Sequence, residues 1–303
     1  MTAARCVVAL DVGGTSMKGA VVDRDGVIRH QGRASTPHDV PVGAALQLIA
    51  EHLRSMFDTA GALDLHVAGV CVAVPGIVDE TRGIARHAAN LGWHDVPVAD
   101  ELSARLDREV LVTHDVRAGG LAESRAGASA GVSDSLFVAV GTGVSAALIV
   151  DGSLVLAGGK AGEIGHVRVP GESTACVCGD TGCLETVASA MAIARAYREL
   201  GGTPVAGAAQ VADRVRTGDP IAAAVWGRAV HALGDVLAPC LAVLGSQLLV
   251  VGGGLSRAGA LLLDPLTDRI TTTTGAGAAG PPPRVVAAAL GDAAGCLGAA
   301  MLA

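Results

Sequence analysis

Asp11-Val12-Gly13-Gly14-Thr15 closes the first apolar run of the chain, residues 6–10. Its two glycines let a backbone approach a ligand closely, Thr15 adds a hydroxyl donor, and Asp11 carries a charge that can hold Mg2+ through water. Alone, such a turn is an ordinary tight hairpin. It has a twin in Gly141-Thr142-Gly143, which joins the apolar runs 136–140 and 144–150. One phosphate-type hairpin in each half predicts a two-domain α/β molecule in which the two turns cradle a triphosphate. The Walker-type Gly-x-x-x-x-Gly-Lys is absent from the sequence, and no Gly-x-Gly-x-x-Gly follows a strand and opens a helix as the dinucleotide fingerprint requires, which removes the two commonest nucleotide folds.

Outward from the first turn, residues 6–10, 18–23 and 27–33 read as a meander of short strands, with turns at Gly13-Gly14 and Asp25-Gly26. Residues 42–60 and 98–106 have helical apolar spacing, 67–74 is a buried strand closed by Pro75-Gly76, and 110–113 is a strand leading to Asp115. The second half repeats the theme. Strands at 136–140 and 144–150 are followed by helices at 184–200, 206–217 and 221–245 and by a strand at 247–251 that runs into Gly252-Gly253-Gly254. A strand at 285–288 and a helix from Asp292 close the chain, after a Gly/Ala tract at 275–283 that ends in three prolines and reads as a surface loop.

A second segment carries different chemistry. Gly162-Glu163-Ile164-Gly165-His166 is followed by Cys176, Cys178, Cys183 and Glu185. One imidazole and three sulfurs make the ligand set of a closed tetrahedral zinc site, with Gly179 and Gly182 easing the backbone between the sulfurs. Four protein ligands leave no position for water, so the metal is expected to clamp a loop rather than to catalyse, and a zinc hydrolase is not expected. The two carboxylates beside the ligands would read singly as a helix-surface charge and as a first-turn residue balancing a helix dipole.

Composition sets limits on partners. The chain has 303 residues, half of them apolar, and a net charge of −7 with almost no aromatics. Without a basic run or stacking platform, neither a nucleic acid nor an anionic membrane is an expected partner. No apolar run free of glycine and charge approaches membrane-spanning length, and no leader precedes the first strand, so a cytoplasmic protein is expected. Seven cysteines, three of them crowded into one loop, suit a reduced compartment with a metal site better than a disulfide framework. The other four, Cys6, Cys71, Cys240 and Cys296, lie in apolar surroundings and read as small core residues.

These motifs occur in a recognisable order. Asp11-Val12-Gly13-Gly14-Thr15, Pro75-Gly76 with Val78-Asp79, Asn90-Leu91-Gly92-Trp93, Asp115, Gly141-Thr142-Gly143, Glu163-Ile164-Gly165-His166, the Cys176-Val177-Cys178-Gly179 and Gly182-Cys183-Leu184-Glu185 pair, and Gly252-Gly253-Gly254-Leu255 follow one another as in the ROK family. The chain resembles a bacterial ROK sugar kinase over essentially its whole length. The resemblance implies the two-domain actin-like ATPase fold, ribonuclease H-like in each half, with a structural zinc loop. It implies a smaller domain of 1–114 plus 290–303, and a larger one of 115–289 that carries the zinc loop and a homodimer or homotetramer surface. The activity implied is ATP-dependent phosphorylation of a hexose at C6, with glucose first.

The resemblance also assigns residues. Asp115 matches the catalytic base, although Asp before an apolar helix is by itself an N-cap signal. Glu163, His166 and Glu185 match groups that bond the hydroxyls near C1 and C2, and Asn90 lies in the strip that closes the sugar site. His166 would then serve the zinc with one ring nitrogen and the sugar with the other. Gly253 and Gly254 match the turn against adenosine, while Asp11, Gly13, Gly14, Thr15, Lys18 and Gly141 to Gly143 serve MgATP. One position departs from the pattern: the family usually has Asn before the catalytic Asp, contacting the C3 and C4 hydroxyls, and this chain has His114. An imidazole differs from an amide in reach and shape, so kinases of N-acetylmannosamine, N-acetylglucosamine, fructose or allose are the alternatives, together with a non-catalytic sugar sensor. A DNA-binding ROK regulator carries a helix-turn-helix ahead of its Asp-x-Gly-Gly-Thr motif, and only ten residues precede Asp11 here, so that role is not expected.

Overall fold

The computed structural model describes residues 4–37, 40–274 and 280–303. Positions 275–279 of the loop expected at 275–283 lie outside the described residues. Contacts divide the chain into a first unit of Met1–Ala122, Leu156–Ala161 and Asp292–Ala303 and a second of Glu123–Val155 and Gly162–Gly291.

The first unit is built on β1 (Ala4–Val12), β2 (Ser16–Asp23), β3 (Ile28–Ser35), α1 (Val42–Ala62) and β4 (Leu65–Val74). β5 (Ile77–Asp79), β6 (Ile84–Ala88), β7 (Trp93–Val96), α2 (Val98–Leu106), β8 (Leu111–His114) and α3 (Asp115–Ala126) follow. Its main sheet has the order β3-β2-β1-β4-β8, with β1 and β2 antiparallel and β1, β4 and β8 parallel. The last five residues of β4 are all buried, as a strand covered on both faces requires, whereas β3 alternates between half-buried and exposed positions at the edge. α1 covers one face with Leu46, Ile49, Leu53 and Met56 at helical spacing. The closing helix Ala294–Ala300 packs with Ala9, Ala20, Cys71, Ala73 and Ala118, and a Cβ at Gly298 would fall 1.8 Å from the Ala118 carbonyl. Small residues therefore replace aromatics in this core by letting backbones come close.

The second unit repeats the plan with β9 (Ser135–Val140), β10 (Val144–Val150) and β11 (Ser153–Leu154). Then come α4 (Glu185–Ala188), α5 (Ala190–Glu199), α6 (Ala208–Arg216), α7 (Pro220–Leu244), β12 (Leu248–Gly252), α8 (Ala260–Thr274) and β13 (Arg284–Ala287). The sheet order β11-β10-β9-β12-β13 matches the first unit strand for strand, including which pairs are parallel. α7 starts on Asp219, whose carboxylate accepts from the Ile221 and Ala222 amides, and ends on Gly245 at φ 63°. Among the described residues α7 is the one helix long and apolar enough to cross a membrane, where none was expected. Half of its most apolar window is buried, and its polar side carries Arg228 paired with Glu172 and Asp235 paired with Arg269. It is built as a core helix.

Three elements differ from expectation. The helix expected over 184–200 is broken at Ser189, whose extended backbone and Oγ, accepting from the Ala192 amide, start α5 afresh. The sheet β5-β6-β7 and α8, with Pro265 inside it, carried no sequence signal. By contacts the two units divide within α3, after Ala122. The start of α3 is tied to the first unit by a buried Arg117–Glu80 pair, whereas Glu123, further along, accepts from the Ala128, Ala289 and Leu290 amides of the second.

Candidate active site and metal centre

Each unit carries its own set of functional side chains. In the first, Asp11 near the end of β1 pairs across the ladder with Lys18 on β2. Lys18 Nζ lies 4.0 Å from the Asp11 carboxylate and 3.8 Å from that of Asp292, which the sequence reading did not single out. Burial pushes the Asp11 carboxyl up, Lys18 pulls it down and Asp292 pushes it up again. A charged Asp11 is thus short of positive partners, which fits a cation site. The turn between the strands is held by Gly13 N–H donating to the Ser16 carbonyl at 3.1 Å and by Thr36 Oγ donating to the Gly13 carbonyl at 2.6 Å. Thr15 is exposed, and a Cβ at Gly14 would lie 3.9 Å from Asn90 Nδ2, so Asn90 and the turn are neighbours.

His114 ends β8 and Asp115 begins α3. Asp115 Oδ1 accepts from the Val116 amide at 2.7 Å and lies 3.5 Å from His114 Nε2. The imidazole is 3% exposed, and its Nδ1 accepts from the Arg117 amide at 3.3 Å. Burial, and secondly the Arg117 guanidinium, push its pKa down to about 3, so the ring is neutral. Beneath it, Glu80 Oε1 accepts from Thr113 Oγ at 2.6 Å, the His114 amide at 2.9 Å and Arg117 Nε at 3.3 Å. Arg117 is fully buried and also donates to the carbonyls of Val78, Gly159 and Ala161. Sequence reading missed Glu80 and Arg117 because neither belongs to a motif of recognisable spacing.

In the second unit, the loop that carries Glu163 and His166 lies flat against β10. A Cβ at Gly162, where φ is +91°, would fall 1.9 Å from the Ala146 carbonyl, and one at Gly165 would fall 2.0 Å from the Val144 carbonyl. Both glycines are required by that approach. The cysteines sit on a small hairpin in which Cys176 N–H donates to the Asp180 carbonyl and Gly182 N–H to the Thr174 carbonyl, both at 2.8 Å. Arg168 Nε donates to Asp180 Oδ2 at 3.0 Å across its outside.

His166, Cys176, Cys178 and Cys183 offer ligand atoms that all lie within 4.8 Å of one another. Cys178 and Cys183 sulfurs are 3.6 Å apart, and Cys176 Sγ is 3.7 Å from His166 Nδ1. Tetrahedral zinc would set about 3.8 Å between two sulfurs and about 3.6 Å between sulfur and nitrogen. The donor set and its spacing therefore fit zinc. The other ring nitrogen, Nε2, is 3.9 Å from Glu163 Oε2. Glu185 Oε1 accepts from Cys176 Sγ at 3.1 Å, and a Cβ at Gly143 would lie 3.0 Å from Glu185 Oε2. Glu163, His166, Glu185 and the Gly141-Thr142-Gly143 turn are thus contiguous within one unit. Gly253, at φ 76°, lies against the Val140 backbone just before that turn, with Gly254 beside it.

Comparison with known proteins gives the family and the fold. The model of the ROK family matches residues 7–303. A curated relative, the glucokinase of Thermotoga maritima, is 32% identical over 98% of this chain and 96% of its own length. The N-acetylmannosamine kinase of Escherichia fergusonii is 31% identical over 97% of each chain. Among solved structures, a ROK family glucokinase from Streptomyces griseus in complex with glucose and AMPPNP superimposes with a TM-score of 0.84, at 28% identity over 98% of this chain and 99% of that one. The chain belongs to the ROK family. Its fold is the α/β, two-domain actin-like ATPase fold of the ROK sugar kinases, with a cysteine–histidine cluster able to hold zinc.

Proposed function

We propose that the chain is an ATP- and Mg2+-dependent hexose kinase acting on the C6 hydroxyl, with glucose as the first substrate. The observation that carries this reading is one carboxylate, Asp115, at the head of α3, kept in a chain with glycine turns after the matching strands β1 and β9. The glucokinase relatives and the glucose- and AMPPNP-bound structure support the same reading. Asp115 takes the proton from O6–H as O6 bonds to the γ-phosphorus and the bond from that phosphorus to the bridging oxygen of ADP breaks. Asp11, Gly13, Gly14, Thr15, Lys18 and Gly141 to Gly143 hold the phosphates and the cation, and Gly253 and Gly254 lie against adenosine. Mg2+, when bound with ATP, supplies charge neutralisation.

Glu163, His166 and Glu185 grip the hydroxyls near C1 and C2, with Asn90 closing the sugar site. Several polar groups on one polyol give the site its selectivity. Zinc on His166 Nδ1 and the three sulfurs would fix the ring so that Nε2 is aimed at the sugar. N-acetylmannosamine is the second reading, favoured by the E. fergusonii relative. A cytoplasmic homodimer or homotetramer is proposed with the activity, and sedimentation would measure the assembly.

A coupled ADP-release assay over glucose, fructose, allose, N-acetylglucosamine and N-acetylmannosamine tests the reading, with the phosphorylated carbon identified by NMR. Hexose-dependent ADP release giving a 6-phosphate is expected. ADP release that no hexose stimulates would return the chain to the sugar-sensor alternative.

A further inference from the structure

The residue next to the proposed base holds its imidazole Nε2 3.5 Å from that base's carboxylate. We propose that His114 is a positioning residue for Asp115, presenting an Nε2–H to Asp115 Oδ1 from a ring locked in one tautomer by the backbone and by the Glu80–Arg117 pair below it. This rests on the reading of Asp115 as the base.

His114 Nδ1 is an acceptor, because the Arg117 amide donates to it at 3.3 Å. An accepting Nδ1 in a neutral ring leaves the one ring proton on Nε2. That nitrogen is 3.5 Å from Asp115 Oδ1, the same oxygen that takes the Val116 amide at 2.7 Å. Catalytic hydrogen bonds are often long before the reactants are bound and tighten afterwards. Two N–H groups converging on Oδ1 would fix the carboxylate's rotamer. With the imidazole side chain 3% exposed, His114 has little surface to offer a sugar hydroxyl.

The support below His114 is unusually costly. Arg117 is fully buried, and its partner Glu80 keeps a second oxygen, Oε2, buried without a hydrogen-bond partner among the described residues. A buried ion pair is a poor source of stability because desolvation offsets its attraction. Here it is placed where Glu80 Oε1 gathers the Thr113 hydroxyl, the His114 amide and Arg117 Nε, the three groups that set the end of β8 and the first turn of α3. The pair thus fixes the backbone from which His114 and Asp115 project.

The test compares two substitutions, since the glutamine amide nitrogen reaches the place of Nε2 and the asparagine amide only that of Nδ1. His114→Asn should lower kcat at least tenfold, with the hexose KM changed less than about threefold. His114→Gln should restore kcat to within about threefold of the parent. A loss that appears in KM, no loss in either constant, or a Gln variant no better than Asn would overturn the inference. Should the Asn variant fail to fold, nitrogen NMR of the parent protein decides. His114, assigned by the signal missing in His114→Gln, must show the Nε2–H tautomer, and a proton on Nδ1 overturns the proposal. Asp115→Asn, run alongside, separates the two readings: if it keeps full turnover the base assignment fails, and if it is inactive the histidine results judge the positioning role alone.

Discussion

Two buried titratable groups bracket the chemistry at the residue scale, with opposite consequences for stability. The Asp11 carboxyl is pushed up by burial, so the native state disfavours its charged form. Its stability contribution is full below the ordinary carboxylate value of about 3.9 and is lost as pH rises through the folded value. At neutral pH the ionised group is a cost, for which the proposed cation role would account. Asp11→Asn should therefore leave the melting temperature unchanged or raised while cutting turnover at least about a hundredfold, as read by thermal unfolding and the coupled assay. A lower melting temperature would mean that the Lys18 contact outweighs burial. His114 behaves in the other sense: held at about 3 against an unfolded value of about 6.5, its contribution is present above pH 6.5 and lost as pH falls toward 3. Urea midpoints of His114→Gln should accordingly fall less steeply than those of the parent between about pH 6 and pH 4. These two environments could not be read from sequence. Asp11 stood in a motif, but its burial, and the Glu80 and Arg117 groups around His114, come from the packing of the folded unit.

At the scale of the element, the proposed function makes the loop of residues 162–185 the place where metal and substrate chemistry would meet. Its glycines, its ligands and its carboxylates were all legible, because Gly162, Gly165, Cys176, Cys178 and Cys183 are residue types whose spacing has a physical meaning. Cys178→Ser should release the zinc and, with His166 no longer held, weaken hexose binding at least about tenfold while kcat at saturating sugar changes less. Metal analysis and sugar titration by calorimetry check this. Unchanged sugar affinity in the metal-free variant would contradict the clamp. Long periodic elements such as α1 and α7 were equally legible. α8 was not, since Pro265 and a run of threonines are weak helix formers, and neither was β5-β6-β7, whose strands of three to five residues are too short to show alternation.

The duplicated sheet governs the behaviour of the whole molecule. The order β3-β2-β1-β4-β8 and its repeat β11-β10-β9-β12-β13 give each unit a core of its own, and the twin glycine turns announced that duplication. What they could not announce was the return of Leu156–Ala161 to the first unit, which depends on Arg117 reaching the Gly159 and Ala161 carbonyls. The two tryptophans of the sequence report separately, Trp93 from the core of the first unit and Trp226 from that of the second. Chelating the metal should lower the unfolding midpoint seen by Trp226 in Trp93→Phe and leave that seen by Trp93 in Trp226→Phe nearly unchanged. Equal shifts would show that the metal stabilises both cores.

The central claim is that Asp115 moves the proton in transfer of a phosphoryl group to a hexose. Single-turnover transfer from labelled ATP to glucose, with glucose affinity measured on the same samples, tests it most directly. Asp115→Asn is expected to bind glucose within a fewfold of the parent and to transfer the label at least about a thousandfold more slowly. Transfer at the parent's rate in Asp115→Asn would contradict the account.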